Sequence, residues 1–257
     1  MGKQNFTSGA NTISIGNYLI ERLYNHGIRH VFGVPGDFIL GFFNQLMESK
    51  IKVINTCDEQ AAGFAADAYA RINGLGVVCV TYCVGGLKVV NPTAEAFAEK
   101  SPLVIISGSP GIKERRKDPL LHHKVKNFDT QFKVFEEITV ASVLINNPQT
   151  AAQEIDRILN VALSYKRPVY IELPRDIVSL DIFLDTISNN DAAQVDQYQE
   201  KSDPIILMEA LNETINMINS STRPVILAGV EIQRFGLQNE LLNLIEKLKI
   251  PLSSTIK

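Results

Sequence analysis

The chain has 257 residues, 45% of them hydrophobic and 21% charged, with a formal net charge of −3 at pH 7 and a pI near 5.9. That length suits one large domain or two of ordinary size, and the composition is that of a soluble globular protein. A weakly acidic balance gives no electrostatic footprint for nucleic acid or an anionic membrane, and no apolar run reaches membrane-spanning length, so neither partner is expected.

The first ten residues, MGKQNFTSGA, lack the apolar core of a signal peptide, and Phe6 stands where a myristoylation signal needs Ser or Thr. A helix is predicted over 12–26, where Ile15, Leu19 and Leu23 recur at i, i+4 spacing and Gly27 follows the helix end. HVFGV at 30–34 reads as a strand, PGD as a turn, and 38–48 as a helix with Phe38, Phe42 and Leu46 on one stripe. KVINT at 52–56 is the next strand, after which Asp58 caps a helix over 59–72 that Gly74 closes.

Four further runs, GVVCVTY, PLVIISG, ITVASVLI and RPVYIELP, are apolar almost throughout rather than alternating, as strands covered on both faces are. Helix signals lie between most of them, notably NPTAEAFAEK and PQTAAQEIDRILNVALSY. The expected fold is therefore α/β, a doubly wound parallel sheet. Cys57, Cys79 and Cys83 form neither an even disulfide set nor a C-x-x-C pair, and each is read as a small hydrophobe in an apolar run, which points to a reducing cytoplasm.

From residue 181 the stretch DIFLDTISNNDAAQVDQYQEKSD loses apolar density and gains Asn, Asp, Gln and Ser, the mark of a connector. The expected division is a first domain over 1–182, a linker over 183–203 and a second α/β unit over 204–257. That unit reads as helix 205–219, strand RPVILAGVEI, helix 235–248 and strand IPLSSTI. Two strands make it a partial, Rossmann-like domain that buries little surface.

Chemistry-bearing residues cluster just after strands. VGG at 84–86 and GVPGDF at 33–38 spell neither G-x-G-x-x-G nor a P-loop, so they read as tight turns that let a ligand pass close to backbone. Glu59 opens a helix at the carboxyl end of a strand, where open α/β sheets bind ligands. The alanines behind it, Ala61, Ala62, Ala65, Ala66, Ala68 and Ala70, allow another helix to approach closely and leave the carboxylate poorly solvated, which suits an acid/base group. Asp37 in PGDF reads either as a helix N-cap or as a second acid at the same edge. His122 and His123 sit back to back in a long loop, and neighbours in one regular element cannot both be core residues. Beside Leu120 and Leu121 they are candidate proton donors in a cleft. Adjacent positions are awkward for two ligands of one ion and the cysteines do not join them, so no metal ligand is assigned. The upstream run KERRKD reads as a solvated charge cluster without a site.

Four signals stand in order: GVPGDF, CDEQAAGFAADAYARINGLGVVCVTYCVGG, LLHHKVKNF and RPVYIELPRD. The set resembles the amino-terminal half of the thiamine diphosphate-dependent 2-oxo acid decarboxylases, from about residue 12 to the end. The resemblance implies that Glu59 hydrogen-bonds the cofactor's aminopyrimidine ring, and that Asp37, His122 and His123 handle protons after carbon dioxide has left. It further implies that Pro35, Thr81, Val84 and Asn91 line the pyrimidine pocket, whereas Gly86 and Lys88 depart from the residues usual there. The G-D-G…N signature that binds Mg²⁺ and the diphosphate in this family does not occur in the chain. The implied partners are a second copy, as a dimer across the first domain, or a separate subunit carrying the diphosphate-binding domain, with a small 2-oxo acid as substrate. Thiamine diphosphate binding and turnover by the chain alone are accordingly expected to be weak or absent. Two other readings stay open: part of a carboligase such as an acetohydroxyacid synthase, which shares the glutamate but not the histidine pair, and a non-catalytic oligomerisation or binding remnant.

Overall fold

The computed structural model describes residues 12–116, 118–183 and 202–255. The chain enters through β1 (Thr12–Ser14) and α1 (Ile15–Asn25), then runs β2 (His30–Gly33), α2 (Leu40–Glu48), β3 (Lys52–Asn55), α3 (Glu59–Asn73) and β4 (Gly76–Val80). A 3₁₀ turn at Gly86–Val89 leads into α4 (Val90–Ala98), followed by β5 (Leu103–Ser109), the short α5 (Ile112–Arg115), α6 (Thr130–Glu136) and β6 (Ala141–Leu144). Helix α7 (Ala151–Tyr165), β7 (Val169–Pro174) and β8 (Asp181–Phe183) complete the first of two compact units, Met1–Val195 and Asp196–Lys257.

Six strands of the first unit form one parallel sheet in the order β3-β2-β4-β5-β7-β6. The continuous apolar runs are explained by burial on both faces. Along β4 and β5, Val77, Cys79, Val104 and Ile106 pack into one core while Val78, Val80, Leu103 and Ile105 pack into another. The first core also takes the apolar stripes of α1, α2 and α7, and the second takes Ala62 and Ala66 of α3, Ala96 of α4 and Phe135 of α6. Ile15, Leu19 and Leu23 of α1 are fully buried, each contributing about 1.5–3 kcal/mol of apolar burial.

Several boundaries differ from expectation for identifiable reasons. The helix predicted from residue 12 starts at Ile15, because the Ser14 hydroxyl accepts from the Asn17 N–H at 3.2 Å as an N-cap. Thr12–Ser14 instead pairs antiparallel with Asp181–Phe183, so the first three residues of the expected connector belong to a strand. The linker expected over 183–203 otherwise lies outside the described residues, apart from Ser202 and Asp203 at its end. Helix α2 starts at Leu40, leaving Phe38 in the preceding turn, and ITVASVLI forms a strand only over Ala141–Leu144. Cys79 and Cys83 are buried, but Cys57 is exposed in the turn before α3, contrary to its reading as a core hydrophobe. Gly74 closes α3 as expected, with φ +87°.

In the second unit, α8 (Pro204–Ser220) is capped by Asp203, whose carboxylate accepts from Ile205 and Ile206 N–H groups. The expected strand RPVILAGVEI is only β9 (Ile226–Ala228), after which Glu231–Arg234 turns into the short helix α9. Helix α10 (Gln238–Leu248) leads to β10 (Leu252–Ser254), which pairs parallel with β9. No helix among the described residues is long and apolar enough to cross a membrane.

Candidate active site

Every predicted site residue lies just beyond the carboxyl end of one of four neighbouring strands, β3, β2, β4 and β5. Pro35 and Asp37 follow β2, Glu59 follows β3, Thr81 and Val84 follow β4, Asn91 opens α4, and His122 and His123 occupy the loop after β5. Open parallel sheets bind ligands at this edge because all the crossovers leave from it.

The β5 loop crosses the end of β4 to reach the turn after β2. Its His122 Nε2 pairs with the Asp37 carboxylate, although the two residues are 85 apart in sequence. Asp37 is thereby engaged at the site rather than as a helix cap; Ile39 holds the α2 N-cap without any side-chain bond. The buried Phe38 ring is the platform between them. It stacks on His122 at 4.9 Å between centroids and 26°, and meets His123 edge-on at 6.0 Å. The two imidazoles lie 4.7 Å apart at 67°. Convergence of adjacent side chains follows from the backbone, for His123 has φ +67°, a left-handed conformation that turns the chain between them. Such conformations persist in a non-glycine residue only when surrounding contacts impose them.

Those contacts begin in KERRKD, where Lys113, Arg116 and Asp118 are exposed as expected but Arg115 turns inward. The Arg115 guanidinium pairs with the fully buried Glu172 of β7 and donates to the Ser109 hydroxyl at 2.8 Å. Glu172 in turn accepts from the Tyr170 hydroxyl at 2.9 Å, and the Gln131 amide donates to that hydroxyl at 2.6 Å and to Ser107 at 2.8 Å. Burial pushes the Glu172 carboxyl above its ordinary range, with the Arg115 charge pulling it back. Glu114 pairs with Arg175, and the Asp176 carboxylate accepts from the Ile112 and Lys113 N–H groups at 2.9 and 3.3 Å, so the loop's entry is pinned to the residues after β7. Its exit is held by Tyr82, whose hydroxyl donates to the Phe128 carbonyl at 3.0 Å. The only sequence signal for this network was a charged residue, Glu172, in the middle of an apolar strand, where it needs a buried partner.

Glu59 opens α3 with its side chain 15% exposed, and its carboxylate meets the Lys88 ammonium at 3.1 Å. Lys88 also reaches Asp58 at 3.2 Å, while Asp58 caps α3 by accepting from the Ala61 N–H at 2.8 Å. The Glu59 hydrogen bond, then that of Asp58, raises the Lys88 pKa. The small face of α3 receives α4 of the same unit: Ala62, Ala66 and Ala70 are buried, and Gly63 lies against Pro92. After β4, the Thr81 hydroxyl oxygen is buried without a hydrogen-bond partner among the described residues, with Gly36 packed against its side chain. Pro35, Val84 and Asn91 are exposed along the same edge. Asp37, His122 and His123 each offer a ligand atom within 4.8 Å of the others. Two clefts of about 450 and 530 Å³ lie elsewhere on the unit, and neither is lined by a predicted site residue.

Residues 13–133 match the thiamine pyrophosphate enzyme N-terminal TPP binding domain, and residues 211–257 match the central domain of the same enzymes. The chain is 40% identical over 239 residues to an indole-3-pyruvate decarboxylase of Azospirillum brasilense, covering 92% of this chain and 42% of that protein. A pyruvate decarboxylase of Aspergillus parasiticus is 35% identical over 242 residues, 93% of this chain and 41% of its own length. Pyruvate decarboxylase 1 of Arabidopsis thaliana is 33% identical over 223 residues, 86% and 36% respectively. The chain thus spans about two fifths of the length of these relatives. With both domain models matched in order, this chain belongs to the thiamine pyrophosphate enzymes, and the relatives it resembles are indole-3-pyruvate and pyruvate decarboxylases.

Proposed function

We propose that the chain forms the pyrimidine-binding part of a non-oxidative 2-oxo acid decarboxylase, releasing carbon dioxide and an aldehyde, with first domain 1–182 and second domain from 204. Glu59 would hold the aminopyrimidine, bordered by Pro35, Thr81, Val84 and Asn91. The observation that carries this reading is the gathering of Glu59, the unpartnered Thr81 hydroxyl and the Asp37–His122–His123 cluster along one strand edge. A carboxylate and an uncommitted hydroxyl beside glycine turns fit a flat, nitrogen-rich ring that needs a proton partner and close backbone approach. When bound, thiamine diphosphate supplies the electron sink that decarboxylation requires.

The chain's own residues then divide the proton work. Glu59 exchanges a proton with a ring nitrogen, for which its carboxylate must be shared with or released from Lys88. Asp37 orients His122 through Nε2, and Phe38 fixes the plane of that ring, so that His122 and His123 present protons toward the same edge. Mg²⁺ and the diphosphate would be held by a domain outside these residues, which contain no G-D-G…N signature for a second copy of them to supply. Without that clamp most of the anion-binding energy is missing.

Calorimetry of the chain with thiamine diphosphate and Mg²⁺ should therefore show weak or no binding and no turnover; tight stoichiometric binding would contradict the proposal. In an enzyme completed by the missing domain, Glu59→Gln should suppress exchange of the cofactor's C2 proton, whereas His122→Gln should leave that exchange intact and slow aldehyde release. Acetolactate rather than aldehyde as the product would favour a carboligase.

A further inference from the structure

We propose that Asp37, His122 and His123 form a binding site for one divalent transition-metal ion of the zinc class. The inference goes beyond the decarboxylase reading and does not depend on cofactor binding. The sequence argument against ligation was that adjacent histidines point apart. Here the left-handed backbone at His123 removes that objection, bringing the imidazoles to 4.7 Å. One ligand atom from each residue lies within 4.8 Å of the others, and ligands on a tetrahedral ion with bonds of about 2.0–2.1 Å are spaced roughly 3.3–3.4 Å. Asp37 and His122 are already paired, so an ion would enter between them as the 41% exposed Asp37 side chain turns aside, with the His122 ring still stacked on Phe38.

A second observation points to an incoming group. His123 Nδ1 is shielded from water and has no hydrogen-bond partner among the described residues, and a buried polar nitrogen left unsatisfied is costly. Two imidazole nitrogens and one carboxylate oxygen select against Mg²⁺ and Ca²⁺, which take oxygen ligands, and match the borderline ions Zn²⁺, Co²⁺ and Ni²⁺. Three protein ligands leave a position for water. An ion here engages the ring nitrogens proposed to transfer protons, so in a completed enzyme metal binding and turnover exclude each other. A chelator reverses the inhibition.

The test uses the unmodified chain. Zinc is titrated while the ¹⁵N-labelled imidazole signals are followed by NMR, with calorimetry in excess Mg²⁺ giving the stoichiometry. The expected result is one ion per chain, His122 and His123 shifting in step, and His26 and His30 unmoved. His122→Gln and His123→Gln should each weaken binding by at least roughly 10-fold, since even second-shell changes cost about 10–100-fold. Cys57→Ser should leave the affinity unchanged. Ring signals of His122 and His123 that stay put at saturating zinc would overturn the site. So would an affinity indifferent to both histidine variants, or one abolished by Cys57→Ser.

Discussion

Glu172 carries a carboxylate with no exposed surface, and its charge partner is a guanidinium from a loop 57 residues away in sequence, with the Tyr170 hydroxyl donating beside it. Removing one partner of such a pair costs far more than the pair is worth, because the remaining charge stays buried. Arg115→Met should therefore destabilise the first unit by roughly 3–5 kcal/mol at neutral pH in urea unfolding. The pH dependence has a definite sign. A carboxyl whose folded pKa is raised binds its proton more readily when folded, so its contribution is most favourable below its ordinary value of 4.5 and is lost as pH climbs through the folded value. Without Arg115 that folded value moves higher still. The deficit of the variant relative to the parent should then shrink on acidification toward 4.5; a deficit that stays constant would deny the pair. Arg115 was misread from sequence because KERRKD has the composition of a wet surface, and only the tertiary path of the loop reveals that Arg115 points inward.

Among elements, α3 and α4 cross closely beside the site. A Cβ on Gly63 would stand 2.4 Å from Cγ of Pro92, a ring that cannot swing aside. Gly63→Ala gains about 1 kcal/mol of helix propensity but pays overpacking of about 1–3 kcal/mol, so a net loss of about 1 kcal/mol is expected in thermal or urea unfolding. An unchanged or raised midpoint would mean that α4 yields. Most of the sheet was legible because each buried strand is a continuous apolar run and each long helix has a stripe with a cap or a terminal glycine, as Asp58 and Gly74 bracket α3. The three-residue strands β1 and β8 have no period to read, and RPVILAGVEI was over-extended because Val230 and Ile232, at alternate positions after Gly229, continue a strand-like pattern into the helical turn. Glu59 was placed at a strand end by local signals alone. The meeting of Asp37 with the histidines came from the family resemblance, since a loop that crosses a neighbouring strand leaves no periodic trace.

For the whole molecule, the second unit stands out by what it leaves uncovered. Among the described residues, none of its helices has a buried residue, and Ile205, Ile206, Met217 and Leu227 are 71%, 65%, 66% and 69% exposed. Apolar surface in that amount seeks a partner. The chain is expected to self-associate, with a sedimentation coefficient that rises with concentration and falls when Ile206 is replaced by Glu; a concentration-independent 28.5 kDa species would refute this. In the first unit the antiparallel pairing of Thr12–Ser14 with Asp181–Phe183 sets Thr12 opposite Phe183. A pull on the two ends would thus load this clasp rung by rung, as a zipper, rather than shearing its hydrogen bonds together. With only three residues on each side, it should open at low force before the six-stranded sheet with its loop-borne histidines feels any load.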